Sequence, residues 1–203
     1  MGFLSVLTMA QRWAAERMAP GAVAIDATAG GGVDTLFLAR AAGPKGHVYA
    51  FDVQEAALAR TRARLEAEAA ASARDGSRTA GSLAPATLLH AGHERMAELI
   101  APEHRGLVRA VMFNLGFLPG EGGDRSVITL PETTLAAMEA ALGLLAPGGA
   151  LTAVVYPGHE GGDSEAAAVE RWMAALSPAA AQVVSYRFPQ KSSAPYLFAL
   201  EKK

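Results

Sequence analysis

"VAIDATAGGGVDTLFLA", residues 23–39, is the stretch whose reading decides the fold. Residues 22–26 form a short apolar run closed by an acid, the pattern of a buried strand. Three glycines follow, and residues 33–42 then take up helical spacing and stop at Gly43-Pro44. Strand, glycine turn and helix in that order open an α/β sheet, whose ligands sit beyond the carboxyl ends of the strands. Yet Asp26 stands before the glycines and Asp34 after them, and neither suits the phosphate that such a turn ordinarily cradles.

The alternation extends in both directions. Residues 2–19 predict an amphipathic helix stopped by Pro20-Gly21. Strands are predicted at 46–52, 87–92, 107–116 and 150–159, with helices at 54–71, 93–101, 131–145 and 163–176 between and after them. Pro131 suits the first turn of its helix. Two further strands, 181–188 and 196–202, close the chain. Residues 72–86, rich in Gly, Ser and Ala, read as a flexible connection inside one domain spanning 1–203, because the alternation resumes at once. Such alternation implies a mostly parallel sheet with helices on both faces. The loops at 26–35, 52–54, 90–94, 114–126 and 156–163 should then line the site.

The chain has 203 residues, of which 51% are apolar, enough for a sizeable core. It contains no cysteine, which removes disulfides, a thiol nucleophile and Cys-based zinc sites. No metal-ligand spacing is present, and no metal is expected. The start lacks a basic leader pattern and no run is long enough to span a membrane, so a soluble cytoplasmic protein is expected. A net charge of −2 argues against binding nucleic acid by bulk charge. Arg60, Arg62, Arg64, Arg74 and Arg78 cluster nonetheless, either as a solvated helix face or as a local RNA patch. The apolar stripe of the first helix offers a surface for a homodimer.

The glycine loop departs from the dinucleotide fingerprint G-x-G-x-x-G: Gly30 and Gly32 fit, but Thr35 stands where the third glycine belongs. Two like charges ~4 Å apart at an effective dielectric of ~20 repel by about 4 kcal/mol, so two flanking acids would hold pyrophosphate poorly. S-adenosylmethionine resolves the conflict, since it carries an ammonium and a sulfonium and no phosphate. On that reading Asp26 lies near the ammonium, and the glycines let backbone approach the ligand. Asp52 accepts from the ribose hydroxyls, a role that NAD would equally allow. Asp26 also reads as a cap or salt-bridge partner, and Asp34 as a helix-start residue satisfying free N–H groups. After the third strand, His93 or Glu94 is placed to meet an adenine edge, while His90 reads as structural.

"VMFNLGFLPGEGGDRS" (111–126) is the second informative stretch. Asn114 falls where the fourth strand should end, so its carbonyl can accept from an attacking amine, or simply cap its own turn. "NLGF" keeps the first and last positions of the N/D-P-P-Y/F pattern of N-methyltransferases. An alkyl amine has a pKa of ~10.4 and must lose its proton before it can attack. Tyr156 and His159, in "VVYPGHEGGD", are candidates to bind a base and to relay that proton, or are plain loop residues.

With these residues in place the chain resembles a bacterial family of class I methyltransferases labelled rRNA methylases. Its better-defined members methylate 5-aminomethyl-2-thiouridine at the wobble position of tRNA. The resemblance rests on "DATAGGGVDTLFLA", "VYAFDVQ", "HERM", "FNLGFLPG", "GDRSVIT", "PETT", "VVYPGHEGG" and "FALEK". It implies a Rossmann-like, seven-stranded sheet with an added N-terminal helix, S-adenosylmethionine as cofactor, and the tRNA anticodon region as partner. It implies cofactor contacts from Asp26, Gly30, Gly32, Asp34, Asp52 and Gln54, with Asn114 and the loop after it facing the acceptor; Thr28 and Thr35 of the same glycine loop are expected cofactor contacts beside them. Gly31, "GEGGD" and "FPQKSSAPY" depart from the family pattern, the last two on the acceptor side. An rRNA or small-molecule methyltransferase, a non-catalytic RNA- or cofactor-binding module, and an NAD-dependent oxidoreductase are the alternatives. Intact "FNLGF" and "YPGH" speak against the module, the missing glycine and Asp26 against the oxidoreductase.

Overall fold

The structure is a computed structural model that describes residues 2–74, 83–116, 124, 126–158, 161–191 and 193–203. Seven strands, β1 (Val23–Asp26), β2 (His47–Asp52), β3 (Ala86–His90), β4 (Val108–Asn114), β5 (Leu145–Val155), β6 (Ala181–Tyr186) and β7 (Tyr196–Lys202), form one sheet. Their order is 3-2-1-4-5-7-6. β1 to β5 are parallel, and β7 inserts antiparallel between β5 and β6. β1 is only four residues long and buried throughout, as a central strand covered on both faces must be.

Alternate residues feed two cores. Ile25, Phe51, Val111, Phe113 and Leu151 point to one face, where Met96, Met138, Val169 and Met173 cover them. Those residues come from α4 (Met96–Leu99), α5 (Pro131–Leu144) and α6 (Gly162–Ala175). Ala24, Val48, Ala110, Met112 and Val154 point to the other face, beneath α1 (Val6–Ala15) and α2 (Val33–Ala42). α3 (Glu55–Arg74) packs on the same side through Leu58 against Ala29 and Ala50. Small strand residues on this face let α1 and α2 sit close.

The expected fold class is present, with several shifted boundaries. α1 starts at Val6, not residue 2, because Ser5 caps it by accepting the Thr8 N–H at 3.1 Å. Residues 2–4 lie outside it, and Tyr186 tethers them by donating to the Leu4 carbonyl at 2.9 Å. Of the apolar stripe expected to pair two copies, Trp13 and Met18 pack against the chain's own core, while Phe3, Leu4 and Leu7 are exposed. The 93–101 helix divides into a single 3-10 turn, His93–Arg95, and the short α4. β5 begins at Leu145, directly after α5, and absorbs "APGG" as an irregularity between the Val108–Leu145 and Ala110–Ala150 pairs. α3 runs three residues past the expected end, and most of the proposed flexible connection, residues 75–82, lies outside the described residues. Among the described residues no helix is long and apolar enough to cross a membrane.

The strand order reverses direction between β1 and β4, with β2 beside β1 on the other side. The carboxyl ends of these three strands therefore diverge into a crevice.

Candidate active site

A cavity of about 1340 Å³ opens at that crevice. Eight of the sequence-predicted site residues line it: Thr28, Gly30, Asp34, Asp52, Gln54, His93, Glu94 and Asn114. Asp26, Gly32, Thr35 and Tyr156 do not, and His159 lies outside the described residues. The loop after β5 contributes no lining among the described residues, and residues 127–130 do so instead. Val33, Val53 and Leu130 are exposed apolar side chains on this lining, a surface suited to a flat base.

Asp26 ends β1 with 1% of its surface exposed, below the loop and not in it. One carboxylate oxygen accepts from Thr35 Oγ1 at 2.6 Å and the other from the Thr28 N–H at 3.1 Å. Thus Asp26 and Thr35 brace the glycine turn from beneath. Burial, and next the Asp34 carboxylate, push the Asp26 carboxyl up to about 7. Gly32 is a structural glycine: its φ is +75°, and a Cβ there would lie 2.7 Å from the Thr61 Cα of α3. It sets how closely α2 approaches α3, whereas a Cβ on Gly31 would meet nothing within 4 Å.

Asp34 sits in the first turn of α2 but does not cap it; it accepts from Gln11 Nε2 of α1 at 2.7 Å and faces the cavity. Burial raises its carboxyl above the ordinary value, against the lowering effect of Gln11. Asp52 ends β2 and accepts the N–H groups of Gly30 at 2.9 Å and Gln54 at 2.8 Å. Gln54 exchanges two hydrogen bonds with the backbone of Asp124, at 3.2 and 2.9 Å, linking the segment after β2 to the one after β4. His93 is buried, stacks edge-on to Phe113 and donates from Nδ1 to the Ala27 carbonyl at 3.1 Å. Burial holds its pKa below the ordinary value, so the ring is neutral and Nε2 is an acceptor. His90 is exposed and bonds the Val53 carbonyl, a structural role as expected.

Asn114 lies on the opposite wall. Its N–H donates to Thr28 Oγ1 at 2.8 Å, which aligns the end of β4 with the glycine loop. Its side-chain oxygen is buried and has no hydrogen-bond partner. Tyr156 lies behind Asn114, packed into the α1-side core. Burial and then Asp34 raise its phenol, against a lowering effect of the Asn114 side chain.

Sequence reasoning missed the α3 wall and a buried acid. Arg60 and Arg64 of the arginine cluster line the cavity, with Arg64 Nε donating to the Gly31 carbonyl at 2.6 Å. Arg62 faces away toward Leu65, and Arg78 is outside the described residues. Glu165 is buried in α6 among Gly162, Ala166, Val169 and Met173. That helical stripe was the available signal, since an acid at an apolar-face position asks for a partner.

Among known proteins, a family model described as "Putative rRNA methylase" matches residues 48–201. The chain is 38% identical over 161 residues to a protein of Arabidopsis thaliana named "tRNA (mnm(5)s(2)U34)-methyltransferase, chloroplastic". That match covers 77% of this chain, which spans 54% of the plant protein. A crystal structure from Clostridium thermocellum, described as a "putative rRNA-methylase", superposes with a TM-score of 0.85 at 32% identity over all of both chains. A Streptococcus mutans structure, described as a "putative methyltransferase" in complex with SAH, does so with a TM-score of 0.79 at 32% identity, again over both whole chains. The loop, the strand order and these matches agree: the chain belongs to the "Putative rRNA methylase" family.

Proposed function

We infer that the chain is an S-adenosylmethionine-dependent methyltransferase acting on an RNA amine, the 5-aminomethyl group of 5-aminomethyl-2-thiouridine at the tRNA wobble position. One observation carries the reading: the Asn114 side-chain oxygen is buried without a partner, on a residue that lines the cavity. Leaving such a group unsatisfied costs about 1–3 kcal/mol, and an amine N–H would satisfy it once the side chain turns toward the cavity. The name of the plant relative supports the nucleoside, and the SAH complex of the streptococcal structure supports the cofactor.

The residues present fit that cofactor. The cavity exceeds the ~300–1,000 Å³ of a single small-ligand site, leaving space for a nucleoside beside it. Asp52 offers carboxylate oxygens for ribose hydroxyls, the His93 ring an acceptor edge, and Asp34 a carboxylate for a cationic group. Bound S-adenosylmethionine supplies a methyl group already activated by its sulfonium. The chain then aligns and excludes water, worth up to ~7–11 kcal/mol of barrier. Asn114 aims the amine nitrogen by accepting one of its hydrogens. Tyr156, whose phenol is raised, keeps its proton near neutrality beside Asn114. His159, the residue read from the sequence as a proton relay, lies outside the described residues.

Nucleoside mass spectrometry of tRNA from a deletion strain tests this. The 5-methylaminomethyl nucleoside should disappear and its 5-aminomethyl precursor accumulate. Unchanged wobble modification would remove this substrate.

A further inference from the structure

Glu165 has 3% of its surface exposed and sits in the first turn of α6, outside every role given above. A carboxylate is almost never this buried unless it is paired. Both of its oxygens are engaged: Oε2 accepts from Thr129 Oγ1 at 2.7 Å and Oε1 from Thr134 Oγ1 at 2.7 Å. The two threonines differ in what lies beyond them. Thr134 belongs to α5, where its N–H donates to the Leu130 carbonyl at 2.9 Å. Thr129 continues toward the cavity: its Oγ1 accepts the Gly116 N–H at 2.8 Å, and its own N–H donates to the Gly116 carbonyl at 2.9 Å. Gly116 stands two residues after Asn114, and Leu115 between them donates to the Val154 carbonyl at 3.0 Å. Asn114, Gly116 and Thr129 all line the cavity.

We propose that Glu165 is the positioning residue of the acceptor wall: through Thr129 it holds Gly116, and with it the segment that carries Asn114. The inference rests on the methyltransferase reading of the cleft. A hydroxyl that accepts an N–H and donates to a carboxylate has both its rotation and its place determined, and the charged acceptor strengthens the chain of bonds. The cofactor wall is built from β1, β2 and the turn after β3, to which Glu165 makes no hydrogen bond among the described residues, although His93 feels its charge. Loss of the anchor should therefore affect alignment of the acceptor more than retention of the cofactor. A misplacement of ~1 Å in such a site costs about 100-fold in rate.

The test compares the two ends of one carboxylate. Thr129→Val and Thr134→Val each remove one hydroxyl from Glu165 with little change of shape. Thr129→Val should lower kcat for tRNA methylation by ~10–100-fold, with KM for S-adenosylmethionine and the calorimetric affinity for S-adenosylhomocysteine nearly unchanged. It should also speed hydrogen exchange of the Gly116 amide. Thr134→Val should leave kcat and Gly116 exchange near wild type, although it weakens the same carboxylate's bonding. Thr129→Ser, which keeps the hydroxyl, should retain kcat. Equal effects of the two valine variants, or loss of kcat in Thr129→Ser, would overturn the proposal. The exchange measurement needs no substrate, so it decides the positioning role even if the wild-type protein transfers no methyl group to tRNA. That second result would sink the substrate reading alone.

Discussion

Asp26→Asn isolates the acid that the glycine loop is built upon. In the fold its carboxyl is pushed from the ordinary 3.8 to about 7, first by burial and next by Asp34. The folded chain thus holds a proton that the unfolded chain releases, and between pH ~3.8 and ~7 stability falls as pH rises. A rise of this size corresponds to about 4 kcal/mol, fully present below pH ~3.8 and lost once pH passes ~7. Asparagine is a neutral stand-in for the protonated acid and can still meet Thr28 and Thr35. Urea unfolding of both proteins across pH 3.5–7.5 should show near-equal stability at the acid end. At the neutral end the variant should be more stable, by up to about 4 kcal/mol. In Asp34→Asn the window should shrink from above, because the second-largest cause is gone. A wild-type-minus-variant difference that stays flat across this range would refute the assignment of a buried, proton-retaining Asp26.

The two walls of the cleft should separate in kinetics. Asp52→Ala should weaken S-adenosylhomocysteine binding by ~10-fold or more in calorimetry, since it removes the carboxylate proposed to accept from the ribose and frees the Gly30 and Gln54 N–H groups. Asn114→Ala should leave that affinity within a few-fold and lower kcat instead; equal loss of binding in both variants would contradict the roles. The loop glycines should also separate. Gly32→Ala drives a Cβ to 2.7 Å from the Thr61 backbone at a φ of +75° and should cost more than ~1 kcal/mol in chemical denaturation, whereas Gly31→Ala meets nothing and should be near neutral.

Much of this was legible along the chain. Periodicity located the seven strands and the helices between them, and the acid closing "YAFD" marked Asp52 as a cavity residue at the end of β2. Asn114 was legible for the same reason, as a polar residue at the end of an apolar strand. Gln54 lines the cavity as expected, but its amide is engaged with the Asp124 backbone, a contact 70 residues away in sequence that no local pattern encodes. Tyr156 follows β5 closely enough to read as a site residue, yet its ring turns into the core beneath α1. Asp26 stops one residue short of the cavity: the paired level of Ala50 and Met112 is still inside the sheet, and the lining begins at Ala27 and Thr28.

The sequence by itself determined the elements, their alternation and the identity of the loop, because hydrophobic period and turn chemistry are local properties of a chain. Only the tertiary structure decided which acids of that loop are buried struts and which face the cavity. It alone brought Glu165, Thr129 and Gly116 into one line behind Asn114. The reason is that burial and hydrogen-bond partnership depend on strand order and register, which join residues far apart along the chain.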